Sequence, residues 1–540
     1  MRRRTRTSAG LSAAPTHTPT PTAPAAHILK LQVGEYDFSY ARPSDLSASA
    51  DNLAVGTAVI LAKEDAALLG VPYCGRTERL AISNTHCVED IGPRRKAKAK
   101  THLGVKIDIA VVCIVPLFDF CILKCSLDAV PPSQRDAFTG LRCLTERHEM
   151  PCPGTPVTAH GYALDSETVH TTQGIVTSAS GSHLPGFLSH SASIASGNSG
   201  GPLVDSASGK LVGLNTATLV ESEAIALAVP CWVVFAAIRQ QGADRNVVRP
   251  ATMRFATKPR SPSDGPNATH GVRVTQVLDG CRFDVRPGDV ITAIGQHAIG
   301  PGGKLGASPH GGGGGGEVLT TLLDFDEPTC DVSSALLQLA MAQDDDGTVK
   351  LTVEQSGCRN PVTIVGDPVQ PTPSPCGGTQ RLYPFHEPVP HLSVGGLVLQ
   401  NLTVGLLEAF DVDASTAQER DCLWHIKHAR QHQANQSAVV VSFCSLNSCL
   451  YDHITVLDRI VTVNGQPVHG VHDVARILGG ASNAGNKPPP KRRRRQVAQN
   501  DSSVITLGLA VDGTVSVTRD QLKAESEMPK TSQQPCVLAL

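Results

Sequence analysis

Past residue 26 the chain is written in short apolar runs punctuated by Gly, Pro, Asn and Asp. Ile28 to Leu31, Val55 to Leu61, Ile109 to Ile114, Gly174 to Val176 and Lys210 to Leu214 have the length and composition of strands. Their repetition with turn signals between them predicts a β-barrel or sandwich. Cys231 to Ile238 reads as a closing helix. After a polar stretch from Lys258 to His270, strand-like runs resume at Gly271 to Val274, Asp289 to Ile291 and Val349 to Val353, with a helix expected over Ser333 to Gln343. A third unit follows Pro-rich residues 367–375, with a helix over Val471 to Leu478 and a strand over Ser503 to Leu509.

These shifts divide the chain into 1–26, a basic segment rich in Pro, Thr and Ala; 27–250, a β-rich unit; 256–366, a second unit; 367–381, a linker; 382–522, a third unit; and 523–540, a tail without a core pattern. With 540 residues the chain exceeds one hydrophobic core. Its 41% hydrophobic and 18% charged residues suit folded domains. A net charge of −2 gives no global attraction to nucleic acid. The run Lys491 to Arg495 reads as a nuclear-import patch, a nucleic-acid contact or a solvated insertion. The first 34 residues carry Arg2, Arg3, Arg4, Arg6 and Lys30 without an acid before Glu35, which fits a mitochondrial transit peptide or a basic tail. The compartment is therefore intracellular, mitochondrial or nuclear. No apolar run is long enough to span a bilayer.

Sixteen cysteines include no CxxC pair and no zinc-ligand spacing, so no metal or cofactor is expected. The Gly311 to Gly316 run lacks the Lys and Ser/Thr of a phosphate loop and reads as a plain loop. Chemistry points elsewhere. Gly197-Asn198-Ser199-Gly200-Gly201-Pro202 places a serine in a glycine-rich turn. Such a turn lets backbone N–H groups converge on a developing oxyanion and lets substrate approach. His86 ends an apolar strand, where a general base is held yet reaches a cleft. Asp108 opens the run Ile109-Ala110-Val111-Val112 and is suited to orient an imidazole. The order His, Asp, Ser is that of chymotrypsin-like enzymes.

The segments Ser83-Asn84-Thr85-His86-Cys87-Val88, Ile107-Asp108-Ile109-Ala110-Val111-Val112, Ile194 to Asp205, Val212 to Ala217 and Ile225 to Pro230 together resemble HtrA/Deg serine proteases over residues 28–245. Val285-Arg286-Pro287-Gly288-Asp289-Val290-Ile291 and, more loosely, Leu457 to Val468 resemble PDZ sequences. The resemblance implies a mainly β chain: a chymotrypsin-like double β-barrel followed by two PDZ-like α+β domains. It implies catalysis by Ser199, His86 and Asp108, with an oxyanion hole from Gly197, Asn198 and Ser199. Ser193, Ile194, Gly213, Leu214 and Asn215 would form the specificity pocket, and Gly271 and Val272 the peptide-binding edge of the first PDZ-like unit. Polypeptide substrates, ATP-independent cleavage after small or medium aliphatic residues, no membrane partner and a homo-oligomer that is a trimer or a multiple of trimers are further implications. Tyr36, Phe38 and Tyr40 are expected between subunits. Two departures stand out: Ser196 replaces the family's Pro, and the interval from His86 to Asp108 is short and basic. A catalytically silent PDZ scaffold or holdase is the alternative reading.

Overall fold

The computed structural model describes residues 23–526 apart from 36–37, 44–51, 73–76, 92–96, 147–148, 179–186, 220–221, 244–245, 250–254, 261–269, 278–280, 296, 300–347, 356–359, 367–381, 433–436, 480–503 and 512. The N-terminal segment before residue 23, the Gly-rich run, the helix expected over Ser333 to Gln343, the Pro-rich linker, the Lys491 to Arg495 run and the tail from 527 lie outside the described residues.

Six strands close the first barrel: β1 Ile28–Glu35, β2 Asn52–Ile60, β3 Glu78–Ser83, β4 Ala97–Lys100, β5 Lys106–Val115 and β6 Phe120–Ser126. Around it they run β1-β2-β3-β6-β5-β4, and β4 returns to β1. The alternation of β5 explains its place: Ile107, Ile109 and Val111 are buried while Asp108 and Ala110 face out. Leu29, Leu31, Ala58, Ile60, Ala81, Leu123 and Cys125 complete this core.

A second closed barrel follows, with β7 Pro156–Gly161, β8 His170–Ser178, β9 Leu188–His190, β10 Pro202–Asp205, β11 Leu211–Leu219 and β12 Ser222–Pro230. Its order is β10-β11-β12-β9-β8-β7, closed by β10 on β7. The expected closing helix is present as Cys231–Gln241. Its apolar side chains join a core that includes Leu61, Leu80 and Ile82 of the first barrel region and Leu211 and Leu214 of the second.

Two antiparallel sheets come next. The first comprises β13 Phe255–Pro259, β14 Val272–Val277, β15 Val290–Ile294, β16 His297–Ala298, β17 Val349–Glu354 and β18 Val362–Gly366, in the order β13-β14-β15-β17-β18 with β16 on β15. The second comprises β19 His391–Val394, β20 Leu397–Asn401, β21 Val439–Cys444, β22 Arg459–Val463, β23 Gln466–Pro467, β24 Val504–Leu509 and β25 Thr514–Thr518. It runs β19-β20-β21-β22-β24-β25, with β23 on β22. The chain is thus mainly β, a double barrel followed by two PDZ-like sheets.

One expectation about the first sheet is corrected. Val272 is not on an edge, because β14 lies between β13 and β15, and the Gly271 N–H already donates to the Ile299 carbonyl. Among the described residues the outer strands of this sheet are β13, which pairs with β14, and β18, which pairs with β17. In the second sheet β19 pairs along β20, from His391 opposite Gln400 to Val394 opposite Leu397.

The N-terminal aromatics also find partners within the chain. Phe38 stacks edge-on to Tyr40 at 4.9 Å and to Phe385 at 6.2 Å. Tyr40 is buried among Leu402, Val404, Leu406 and Val440 of the third unit, and its carbonyl accepts from Gln400 and Ser442. Nearby, Arg249 and Glu387 form a two-pronged ion pair, and the His386 ring meets the Val88 carbonyl at 3.2 Å. Residue 36 is outside the described residues.

Candidate active site

The nucleophile turn is built on backbone geometry that only glycine supplies cheaply. Gly200 has φ +77°, and a β-carbon there would meet the Ser83 hydroxyl at 2.1 Å and the Thr57 carbonyl at 2.2 Å. Gly197 has φ +91°, with the Tyr162 carbonyl 2.3 Å from where its β-carbon would stand. The first barrel grips this turn. The Thr57 N–H donates to the Ser199 carbonyl at 2.8 Å, and the Thr57 hydroxyl to the Gly197 carbonyl at 2.6 Å. From the second barrel, the buried Asn215 amide donates to the carbonyls of Gly201 and Pro202 at 3.0 and 3.3 Å.

His86 sits in a 3-10 turn, Thr85–Cys87, that leaves β3. Thr85 and Asn84 tie that turn to the Phe120 and Asp119 carbonyls, both at 2.8 Å. Asp119 stands at the β5–β6 turn with φ 49°, a left-handed conformation that aspartate tolerates. Its carboxylate lies 2.9 and 3.0 Å from His86 Nδ1 and accepts the His86 backbone N–H at 3.2 Å. The Thr216 hydroxyl donates to the same carboxylate. The Ser199 hydroxyl donates to the Thr216 carbonyl at 3.2 Å, so Thr216 bridges nucleophile and acid.

Burial works against a charged imidazole. Hydrogen bonds and charge at Asp119 and Cys87 outweigh it and hold the His86 pKa above its ordinary 6.5. With Nδ1 engaged by the carboxylate, Nε2 is the nitrogen left to exchange a proton.

Several expectations from sequence are corrected here. Asp108 does not reach His86. It lies on the outward face of β5, opposite Lys98, and pairs with that lysine at the surface. Asp119 occupies the position next to the imidazole. The Asn198 N–H cannot serve an oxyanion, because it donates to the Ala195 carbonyl at 3.0 Å, and its side chain is buried against Gly161. Among the described residues, the Gly197 and Ser199 N–H groups donate to no backbone carbonyl, so these two are the available donors. Leu214 and Asn215 are fully buried. Leu214 belongs to the inter-barrel core and Asn215 braces the nucleophile turn, so neither walls a pocket. Gly213 is backbone-packed under Val229. Ser193 remains exposed, its carbonyl accepting from Thr172 at 2.7 Å, and Ile194 is half-buried beside it.

Sequence reasoning missed Asp119, Thr216 and Thr57. Asp119 had a readable signal: it too opens a continuous apolar run, Phe120-Cys121-Ile122-Leu123. Thr57 carries none, and Thr216, though it lies in the Val212 to Ala217 segment, shows its role only where the two barrels meet. Among the described residues no cluster of His, Cys, Asp and Glu could hold a metal.

Comparison with known proteins places this site in context. Residues 56–214 match the trypsin-like peptidase domain family. No curated protein is similar enough in sequence to match. Among solved structures, an HtrA-type protease, AlgW, with a tripeptide is 18% identical. The match covers 65% of this chain and 96% of that one, with a TM-score of 0.42. A serine endoprotease from Yersinia pestis is 17% identical over 65% of this chain and 96% of its own, with a TM-score of 0.37.

Proposed function

We propose that this chain is a serine endopeptidase of HtrA type, with Ser199 as nucleophile, His86 as general base and Asp119 as its orienter. The observation that carries the proposal is the 2.9 Å contact between His86 Nδ1 and the Asp119 carboxylate, beside a serine in a Gly-Asn-Ser-Gly-Gly turn.

The Ser199 hydroxyl rotates from the Thr216 carbonyl to His86 and attacks the scissile carbonyl while His86 Nε2 takes its proton. Asp119 keeps the Nδ1 proton in place and stabilises the imidazolium. The Gly197 and Ser199 N–H groups receive the oxyanion. Collapse of the tetrahedral intermediate expels the amine, protonated by His86, and leaves an acyl-serine. A water activated by His86 then releases the acid. No step consumes a nucleotide.

Cleavage falls after small or medium aliphatic residues such as Val, Ala or Leu. No acidic side chain lies between Ser189 and Ser199 to compensate a buried Lys or Arg. The substrates are unfolded polypeptides, and the first PDZ-like sheet takes an extended segment along β13 by strand addition. A trimeric assembly belongs to the same proposal.

The test is cleavage of unfolded casein by Ser199→Ala protein. Loss of the nucleophile costs about 10⁶ in turnover. Casein still cut by the purified variant would overturn the reading, as would cuts mainly after Lys or Arg in a denatured protein mixture for the specificity.

A further inference from the structure

We propose that Lys30 is a positioning residue for the oxyanion turn: acting through the 162–167 bend, it fixes the direction in which the Gly197 N–H points. The inference rests on the serine-protease reading above.

Lys30 lies in the middle of β1, directly across from Thr57. Its side chain is 1% exposed, rare for a lysine. The ammonium crosses from the first barrel to the second. It donates to the Asp165 carbonyl at 2.8 Å and pairs with the Asp165 and Glu167 carboxylates at 2.6 and 3.3 Å. An ammonium at that depth without acceptors is costly, so the bend is drawn onto it.

The bend needs such an anchor. Leu164 and Asp165 are consecutive residues at φ +53° and +59°; aspartate tolerates this left-handed conformation, but a leucine holds it only under external constraint. The Lys30 bond to the Asp165 carbonyl acts inside this stretch. The bend in turn governs the catalytic loop. The Leu164 N–H donates to the Ser196 carbonyl at 2.7 Å. The Tyr162 N–H donates at 3.1 Å to the Thr57 hydroxyl, which itself donates to the Gly197 carbonyl. In a trans peptide the C=O and N–H point opposite ways. Pinning the Ser196 carbonyl on Leu164 therefore turns the Gly197 N–H away from the bend. Without Lys30, Leu164 and Asp165 relax, the Ser196–Gly197 peptide is released, and an oxyanion donor loses its aim. The loss falls on the transition state and leaves substrate binding intact.

Full-length Lys30→Met keeps the buried aliphatic stem and removes the ammonium. Active sites are counted by exhaustive fluorophosphonate labelling, so turnover is expressed per competent Ser199. A peptide boronate, whose tetrahedral adduct occupies the oxyanion hole, supplies a second readout. We expect kcat per site to fall about 10- to 100-fold, KM to stay within about twofold, and boronate Ki to weaken in step with kcat/KM. A structural role alone would reduce the number of labelled sites and leave both per-site values unchanged. Wild-type kcat per site, or a loss confined to KM with boronate affinity kept, overturns the proposal. If Lys30→Met does not fold, Lys30→Leu likewise removes the ammonium and its bond to the Asp165 carbonyl. A folded Lys30→Leu variant with wild-type kcat per site overturns it equally. Failure of the wild-type enzyme to label at Ser199 would instead bring down the serine-protease reading, and this inference with it.

Discussion

The β5–β6 hairpin carries an aspartate near each end. Near the open end, Asp108 faces outward across from Lys98, and both side chains are more than half exposed, at 59% and 54%. At the turn, Asp119 is 23% exposed and accepts from the His86 ring, the His86 backbone and the Thr216 hydroxyl. The residue type is the same and the strands are shared. What differs is the other element brought to each end. At one end it is a lysine-bearing strand that leaves the carboxylate hydrated. At the other it is the histidine turn from β3 and a threonine from the second barrel. A carboxylate becomes an orienter when it is partly withdrawn from water and its acceptor sites are already assigned.

The sharpest way to break this comparison is to neutralise each aspartate in turn. Asp119→Asn keeps the shape and removes the charge that holds the imidazole tautomer. It should lower kcat by about 10⁴. Asp108→Asn should leave kcat/KM within about twofold, since its pair with Lys98 is a hydrated surface one. Peptidase assays on the two purified variants read this directly, and the reverse pattern would return the orienting role to Asp108.

The same hairpin shows how far the sequence can be read. Ser199 and His86 were legible because each sits in a short motif whose local geometry is its function. The orienter was not, because an aspartate before an apolar run occurs twice, at Asp108 and at Asp119. The Asp-Ile-Ala-Val-Val pattern favoured the wrong one. Two signals argued for the other: the short interval from His86, and the basic strand residue Lys98 that stands opposite Asp108. A β-barrel or sandwich was legible from the repeated short strands and their turn signals, and the double barrel and PDZ-like sheets from the resemblance carried by segments such as Ile194 to Asp205 and Val285 to Ile291. The pocket wall was not. Leu214 and Asn215 are small-motif neighbours in sequence, but strand pairing turns Leu214 into the inter-barrel core and Asn215 onto the nucleophile turn. The peptide-binding edge failed for a similar reason, since which strand is outermost depends on β13, a pairing with no local motif.

A second comparison concerns imidazoles with and without a carboxylate. His86 has Asp119 and is held above its ordinary pKa. His160 and His190 are buried in the second barrel, and burial lowers each to about 4. Both folded values lie below that of the unfolded chain, so the unfolded state binds more protons between about pH 6.5 and 4. Their contribution is complete above that window and is lost as pH falls through it. Urea unfolding should show stability dropping by roughly 5 kcal/mol from pH 7 to pH 4.5 on this account. Replacing His190 with Leu should flatten part of that slope. An unchanged slope would show that the ring titrates freely in the fold.

Thr216 sharpens the contrast at the turn. Its hydroxyl donates to Asp119 and its carbonyl accepts from Ser199. Thr216→Val keeps the shape and the carbonyl but removes the donor. Hydrogen bonds to charged groups are worth roughly 1.5–3 kcal/mol, so kcat/KM should fall about 10- to 100-fold. The carboxylate, with one donor fewer, becomes a stronger partner for His86, so the limb where activity rises with pH should move upward. A pH–rate profile that stays in place would leave Thr216 as a packing residue.

The smallest effect belongs to the open end. The Lys98 and Asp108 side chains meet across neighbouring strands, where cross-strand ion pairs add little. Both ends of the pair are more than half exposed, so water screens the attraction and each long side chain loses freedom in making it. Lys98→Ala should therefore change unfolding free energy by less than about 1 kcal/mol, and less again at high salt. It should also leave kcat untouched, because Lys98 pairs with Asp108 on the outward face of β5, at the end of the hairpin away from the His86 turn. A double-mutant cycle with Asp108→Ala isolates the pair from the loss of either side chain alone. A coupling well above 1 kcal/mol would mean that Asp108 is held in the fold far more firmly than its exposure implies, and the division of labour along the hairpin would have to be redrawn.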